Sequence, residues 1–211
     1  MPLNPTTQLP GGVADVLFGS SLAFSGDGQV LAVGNLDGWG VYDSASDDLT
    51  EWTPRTGAAS RRLRALQANN GGSLVGLSGD GGTVAVADQG GARVRMYNWD
   101  GGAWTRIGNE VTDFTLSKNV QSLGFSGGGS TVAVGGEGAV QTLHYFPGPD
   151  RWFPRGNLLE GSPAFGEHVA LSQDGRRLIT TTSGAGELVA YEWKYADNVW
   201  EAFGDPIPAA G

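Results

Sequence analysis

Few side chains in this sequence are equipped for chemistry, and their spacing decides what chemistry that is. There are two histidines, His144 and His168, no cysteine, and 22 acidic against 13 basic residues. Proton transfer or metal binding needs imidazoles and carboxylates placed where one element, or a pair of them, can bring them together. Neither histidine stands in such a pattern, and the two fall at non-equivalent places, so both read as ordinary strand or turn residues. Without a thiol there is no disulfide framework, thiolate ligand or cysteine nucleophile. The string Gly135-Gly136-Glu137-Gly138 looks like a phosphate loop, but it lacks the Lys-Ser/Thr pair and the following helix, and reads as a turn. The group Asp43-Ser44-Ala45-Ser46-Asp47-Asp48 is rich in oxygens but occurs once, and reads as a solvated turn rather than a metal site.

One carboxylate does recur at a fixed place. Ser25-Gly26-Asp27-Gly28, Ser78-Gly79-Asp80-Gly81 and Ser172-Gln173-Asp174-Gly175 share a pattern, and Ser126-Gly127-Gly128-Gly129 repeats it without the acid. Apolar residues precede each serine, and an apolar run follows: Val30-Leu31-Ala32-Val33, Val84-Ala85-Val86-Ala87, Val132-Ala133-Val134 and Leu178-Ile179. Asp-Gly or Gly-Gly between such runs supplies the positive φ of a tight hairpin, and the serine can bond back to the turn backbone. These residues therefore do backbone chemistry: they write one hairpin four times.

The elements around the hairpins repeat as well. A third strand carries Tyr42, Tyr97, Tyr145 and Tyr191, and a fourth begins near Trp52, Trp104, Trp152 and Trp200. The spacing predicts an all-β protein, a β-propeller built from four tandem four-stranded blades of about 48 residues each. The repeats fall at approximately 18–65, 66–115, 116–162 and 163–211. Residues 1–17 form a leader that can serve as a closing strand or be the remnant of a preceding blade. The stretch Ala58–Gln67 has some helical character and reads as an elaborated loop with one short helical turn. A large ring recurring at the blade period reads as packing at the blade's outer edge, so the four tryptophans are expected to be structural.

Composition narrows the function classes. With 36 Gly, 10 Pro and 39% hydrophobic residues the chain is turn-rich yet able to build a core. A formal charge of −9 opposes general binding to nucleic acid or to an anionic bilayer. No stretch approaches the ~20 apolar residues that cross a membrane, and the start has neither the basic nor the apolar region of a signal peptide. The chain reads as soluble, while a targeting peptide removed upstream would leave no trace in it.

Phe18-Gly19 and Phe165-Gly166 stand six residues before Phe24 and Leu171, and Ser-Gly-Asp-Gly is followed by Val-Ala-Val runs and by Tyr97-Asn98-Trp99-Asp100-Gly101-Gly102-Ala103-Trp104. On these motifs the chain resembles the FG-GAP, integrin-α-like propeller repeats of bacterial and algal surface proteins. The resemblance implies seven blades, an extracellular or cell-surface setting, adhesion, and calcium held by Asp-x-Asp-x-Asp-Gly loops. Here each hairpin offers one acid, Asp27, Asp80 or Asp174, and the third offers none. A calcium ion takes six to eight oxygens, so neither structural calcium nor any other metal or cofactor is expected. Four repeats leave three arrangements open: a small closed ring, part of a larger ring, or two chains that pair to complete one.

On a propeller the loops joining second and third strands gather on one face and are the expected binding surface. Asp37, Trp39, Asp88, Arg93, Glu137 and Glu187 fall in those loops, and Trp39 is the expected exposed anchor. The leading expectation is a non-catalytic interaction or scaffold module with a protein partner. A carbohydrate-binding propeller with tryptophan platforms is the alternative, followed by an enzyme with a site in the central channel.

Overall fold

The computed structural model describes residues 19–35, 38–45, 51–55, 73–88, 93–112, 119–182 and 186–208, and no helix occurs among them. The first sheet is β1 (Ser21–Phe24), β2 (Val30–Asn35), β3 (Gly38–Ser44) and β4 (Trp52–Pro54). The second is β5 (Ser73–Leu77), β6 (Thr83–Asp88), β7 (Val94–Trp99) and β8 (Trp104–Val111). The third is β9 (Val120–Phe125), β10 (Thr131–Gly136), β11 (Ala139–Phe146) and β12 (Arg151–Pro154), with the short β13 (Leu159–Glu160) pairing to the other end of β11. The fourth is β14 (Val169–Leu171), β15 (Arg177–Thr181), β16 (Leu188–Lys194) and β17 (Val199–Ala202). Each sheet is an antiparallel meander in chain order, and the inner strands β1, β5, β9 and β14 pack on one another in series. The expected leader at 1–17 and the expected helical turn at 58–67 lie outside the described residues.

The recurring Ser-x-Asp-Gly unit builds the first hairpin of the first, second and fourth sheets, and Ser126-Gly127-Gly128-Gly129 builds that of the third. Ser25 Oγ donates to Asp27 Oδ1 at 2.6 Å, Asp27 Oδ1 accepts from the Gln29 N–H at 2.9 Å, and Ser25 Oγ accepts from the Val30 N–H at 2.9 Å. The set recurs at Ser172 and Asp174, and the Ser25 bond in particular lowers the pKa of Asp27. Gly28 closes its turn at φ 74°, a backbone shape that L side chains resist. The turns also join neighbouring sheets: Gly26 N–H donates to Gly79 O, Asp80 N–H to Gly127 O and Gly127 N–H to Gln173 O.

Between sheets the core is dry. The second strands of the first three sheets are sealed on both faces, with Ala32, Val33, Val84, Ala85, Val132, Ala133 and Val134 inaccessible to water. Leu74, Ala85, Met96 and Val111 of the second sheet meet Val120, Val132, Val134 and Trp152 of the third in one cluster. Three of the four recurring tryptophans lie within these seams, while Trp52 packs on its own sheet. Trp104, Trp152 and Trp200 are buried, each wedged against the preceding sheet rather than capping a blade's rim.

Two polar devices recur at the seams. Asn109, late in β8, accepts the Trp152 N–H at its Oδ1 at 2.9 Å, and Asn157, just after β12, accepts the Trp200 N–H at its Oδ1 at 2.7 Å. Arg55 donates to Gly81 O at 2.7 Å and lies over Trp99 and Trp104; Arg155 donates to Gly175 O at 3.1 Å and lies over Trp193 and Trp200. At the third seam Trp200 Nε1 donates to Thr142 Oγ1 at 2.7 Å. Thr142→Val leaves that indole N–H buried without an acceptor, and is expected to cost about 1–3 kcal/mol of unfolding free energy in a denaturant titration. The comparison variant Trp200→Phe, which removes the donor as well, separates the lost bond from lost packing.

Candidate functional site

The concave feature with the most chemistry lies in the outer part of the seam between the third and fourth sheets. It is a cleft of about 680 Å³, lined by His144, Phe146, Phe153, Arg155, Trp193, Tyr195 and their neighbours. Strand register explains its composition. His144 and Phe146 alternate to the same face of β11, and Phe153 of β12 stands opposite His144. In the other three repeats the residue after the recurring tyrosine is Asp43, Asn98 or Glu192, and the residue after the recurring tryptophan is Thr53, Thr105 or Glu201. Only the third repeat has Phe146 and Phe153 there. Their rings meet edge to face at 5.7 Å and both are exposed.

The polar end of the cleft is a relay. Arg155 Nη1 donates to Thr131 Oγ1 at 3.0 Å, and Thr131 Oγ1 lies 2.9 Å from His144 Nδ1. Thr131 is buried, so its hydroxyl hydrogen needs an acceptor, and Nδ1 is the one in reach. This assigns the imidazole proton to Nε2. Burial pushes the His144 pKa down, and the Arg155 cation pushes it further, so at neutral pH the ring is an uncharged N–H donor. Across the cleft Trp193 packs edge to face on Tyr195, whose hydroxyl accepts from Arg176 at 3.1 Å. Asn198 projects from a hairpin tip with φ 55°, a left-handed conformation that asparagine tolerates. The walls thus offer ring faces for stacking, and the end offers hydrogen-bond donors.

The six loop residues expected to bind a partner fare differently. Trp39 is not an exposed anchor: it is 5% exposed and packs on Tyr97 at 5.2 Å and Trp104 at 5.7 Å. The β2–β3 connection is short, so β3 begins at Gly38 and Trp39, opposite Gly34, already points into the seam with the second sheet. Arg93 is exposed and its Nε lies 3.9 Å from Glu110 Oε1. Glu137 is exposed at the β10–β11 turn, and the carbonyl of Glu187 accepts from Thr182 N–H before β16. Asp88 ends β6, while Asp37 lies outside the described residues. Sequence reasoning missed the cleft because it weighed what recurs. The signal was a departure from recurrence, two phenylalanines at otherwise polar positions, together with a histidine dismissed as ordinary.

No family model matches the chain, and no curated protein matches it in sequence. Solved structures do match in fold. A candidate 6-phosphogluconolactonase of Bacteroides fragilis aligns with a TM-score of 0.64 at 15% identity, over 89% of this chain and 54% of that one. A periplasmic gluconolactonase of Pseudomonas aeruginosa aligns at 0.57 and 16%, over 89% and 53%, and a β-propeller domain from Myceliophteria thermophila at 0.55 and 14%, over 82% and 53%. The fold is of the β-propeller kind. The chain spans about half the length of these structures. With proteins named as lactonases among the matched folds, the expectation of a non-catalytic interaction or scaffold module is withdrawn. The lectin alternative loses its basis separately, because three of the four recurring tryptophans that were to be its platforms are buried.

Proposed function

We propose that the chain belongs to a propeller hydrolase that opens cyclic esters of sugar acids, with the cleft between the third and fourth sheets as its substrate site. The observation that carries this reading is the pairing of Phe146 and Phe153 with a neutral His144 whose proton sits on Nε2. Supporting it are the lactonase names of two matched folds. The C–H faces of a sugar lactone stack on aromatic rings, and its carbonyl oxygen takes a hydrogen bond. As water adds to the carbonyl carbon, charge grows on that oxygen, and the His144 N–H stabilises it. The ring C–O bond then breaks, one proton of the water passes to the leaving alkoxide, and the acid product releases the other to solution.

Proton release from gluconolactone tests this directly. Opening is expected to run faster than in buffer alone, and His144→Gln, folded by circular dichroism, is expected to lower kcat by about 10²-fold. Phe146→Ala and Phe153→Ala are expected to raise KM. Burial depresses the His144 pKa, so the ring stays neutral until the pH falls below the ordinary 6.5, and because protonation at Nδ1 keeps the Nε2–H, kcat/KM is expected to show no acid limb from this residue. No acceleration over buffer, or an unchanged kcat in His144→Gln, overturns the assignment.

A further inference from the structure

The two ends of the row of sheets carry opposite halves of one seam. On the far face of the fourth sheet, Ala170, Ile179, Ala190 and Phe203 form one row, and Thr181, Leu188 and Ile207 the next. These positions correspond in register to Gly76, Ala85, Met96 and Ile107, and to Ala87, Val94 and Val111, on the second sheet. There they are packed beneath the third sheet; on the fourth, Phe203 is 45% and Ile207 50% exposed. At the other end, Leu22 and Phe24 of β1 correspond to Leu123 and Phe125, which pack against the second sheet. Leu22 is 59% and Phe24 54% exposed. Phe24 holds Trp52 at 5.9 Å much as Phe125 holds Trp152 at 6.3 Å.

The polar devices of the seam are duplicated too. Gly108-Asn109 and Gly156-Asn157 each take a left-handed glycine, then place an oxygen on the next tryptophan's N–H. Gly204, at φ 73°, is followed by Asp205, an acceptor at the same place, and a Cβ built on Gly204 would meet nothing, whereas one on Gly108 or Gly156 would strike a tryptophan ring at 2.6 Å. The row Arg177, Glu192 and Glu201 is charged, but it lies at the rim, where the first and second sheets are also polar at Asp43, Thr53, Asn98 and Thr105.

We propose that a second copy of this chain covers both faces, its Leu22, Phe24 and Trp52 seating on Ile179, Phe203 and Asp205 of the first copy, and the reverse at the other junction. Such a head-to-tail contact closes after two copies under a two-fold axis. Two copies of four sheets give eight blades, inside the four-to-eight range of propellers, while three copies fall outside it. The junction continues the seams already within the chain. This inference is independent of the cleft, which lies wholly within one copy.

Light scattering on the purified 211-residue chain is expected to give twice its 21.9 kDa. Leu22→Glu with Phe24→Glu damages one face, and Ile179→Glu with Phe203→Glu the other; each variant alone is expected at 21.9 kDa with unchanged circular dichroism. Mixed, the two variants are expected to regain the doubled mass, because one junction then pairs two intact faces. Phe203→Ser and Phe24→Ser serve in the same way if the glutamate variants fail to fold. A wild-type chain that stays at 21.9 kDa at every concentration, variants that keep the doubled mass, or a mixture that stays monomeric overturns the proposal.

Discussion

Trp152→Ala is expected to lower the unfolding free energy by about 3–5 kcal/mol, the range for truncating a fully packed aromatic ring. The ring fills the seam between the second and third sheets, 5.2 Å from the Tyr145 ring and 6.3 Å from the Phe125 ring, and is 3% exposed. Its edge lies where Gly108 has no side chain. A void there cannot collapse, because the seam's backbone is held on both sides by strand ladders and by the Asn109 bond to Trp152 N–H. Trp152→Phe keeps a ring and is expected to cost less than half as much. Its indole Nε1 has no partner, so the phenylalanine variant forfeits packing but no hydrogen bond. Chemical denaturation of the three proteins measures this. An alanine variant within about 1 kcal/mol of the parent would mean that the ring does not hold the sheets together.

Gly135→Ala acts by the opposite route, overpacking, and is expected to cost about 3 kcal/mol, the upper part of the usual range. A Cβ at 135 would lie 2.1 Å from Gly166 O, 2.3 Å from Ser122 Oγ and 2.9 Å from Val169 Cγ1. Two of these atoms cannot swing away: one is backbone, and the hydroxyl is itself bonded to Gly166 O at 2.8 Å. The fourth sheet must therefore move off the third. Removing the hydroxyl gives part of the space back, so in a double-mutant cycle Ser122→Ala and Gly135→Ala are expected to cost less together than the sum of their separate effects. Additive costs would show that the hydroxyl does not resist the new methyl group.

Both variants bear on how much was legible beforehand. Repetition exposed the hairpins, because Ser-x-Asp-Gly works through bonds within a few residues: Asp27 caps Gln29 whatever surrounds it. The strands at Tyr97 and Trp104, and the meander order, follow from the same local grammar. The role of Trp104, Trp152 and Trp200 as structure rather than ligand platforms was legible too, but not their location. They were expected at blade rims and lie in the seams, a difference that depends on how far one sheet leans over the next.

The candidate site was harder to read. Trp39 looked like an exposed loop residue because the length of the β2–β3 connection decides whether it points outward, and one residue of register reverses that. His144 looked ordinary because its partner Thr131 comes from β10 and the cation that helps keep it neutral, Arg155, from the far side of β12. These groups meet only when β10, β11 and the residue after β12 are laid side by side in the third sheet.

The sequence by itself determined the all-β class, the four repeats, the hairpin chemistry, the lack of any thiol and the net negative charge. Each of these rests on residue identity, on counts, or on contacts a few positions apart. The tertiary structure alone decided that Trp39 is core, that Phe146 and Phe153 frame a cleft with His144, and that Leu22 and Phe203 stand on uncovered faces at opposite ends of the row. Those facts depend on which faces of successive sheets meet, and the sheets that meet are written tens of residues apart along the chain.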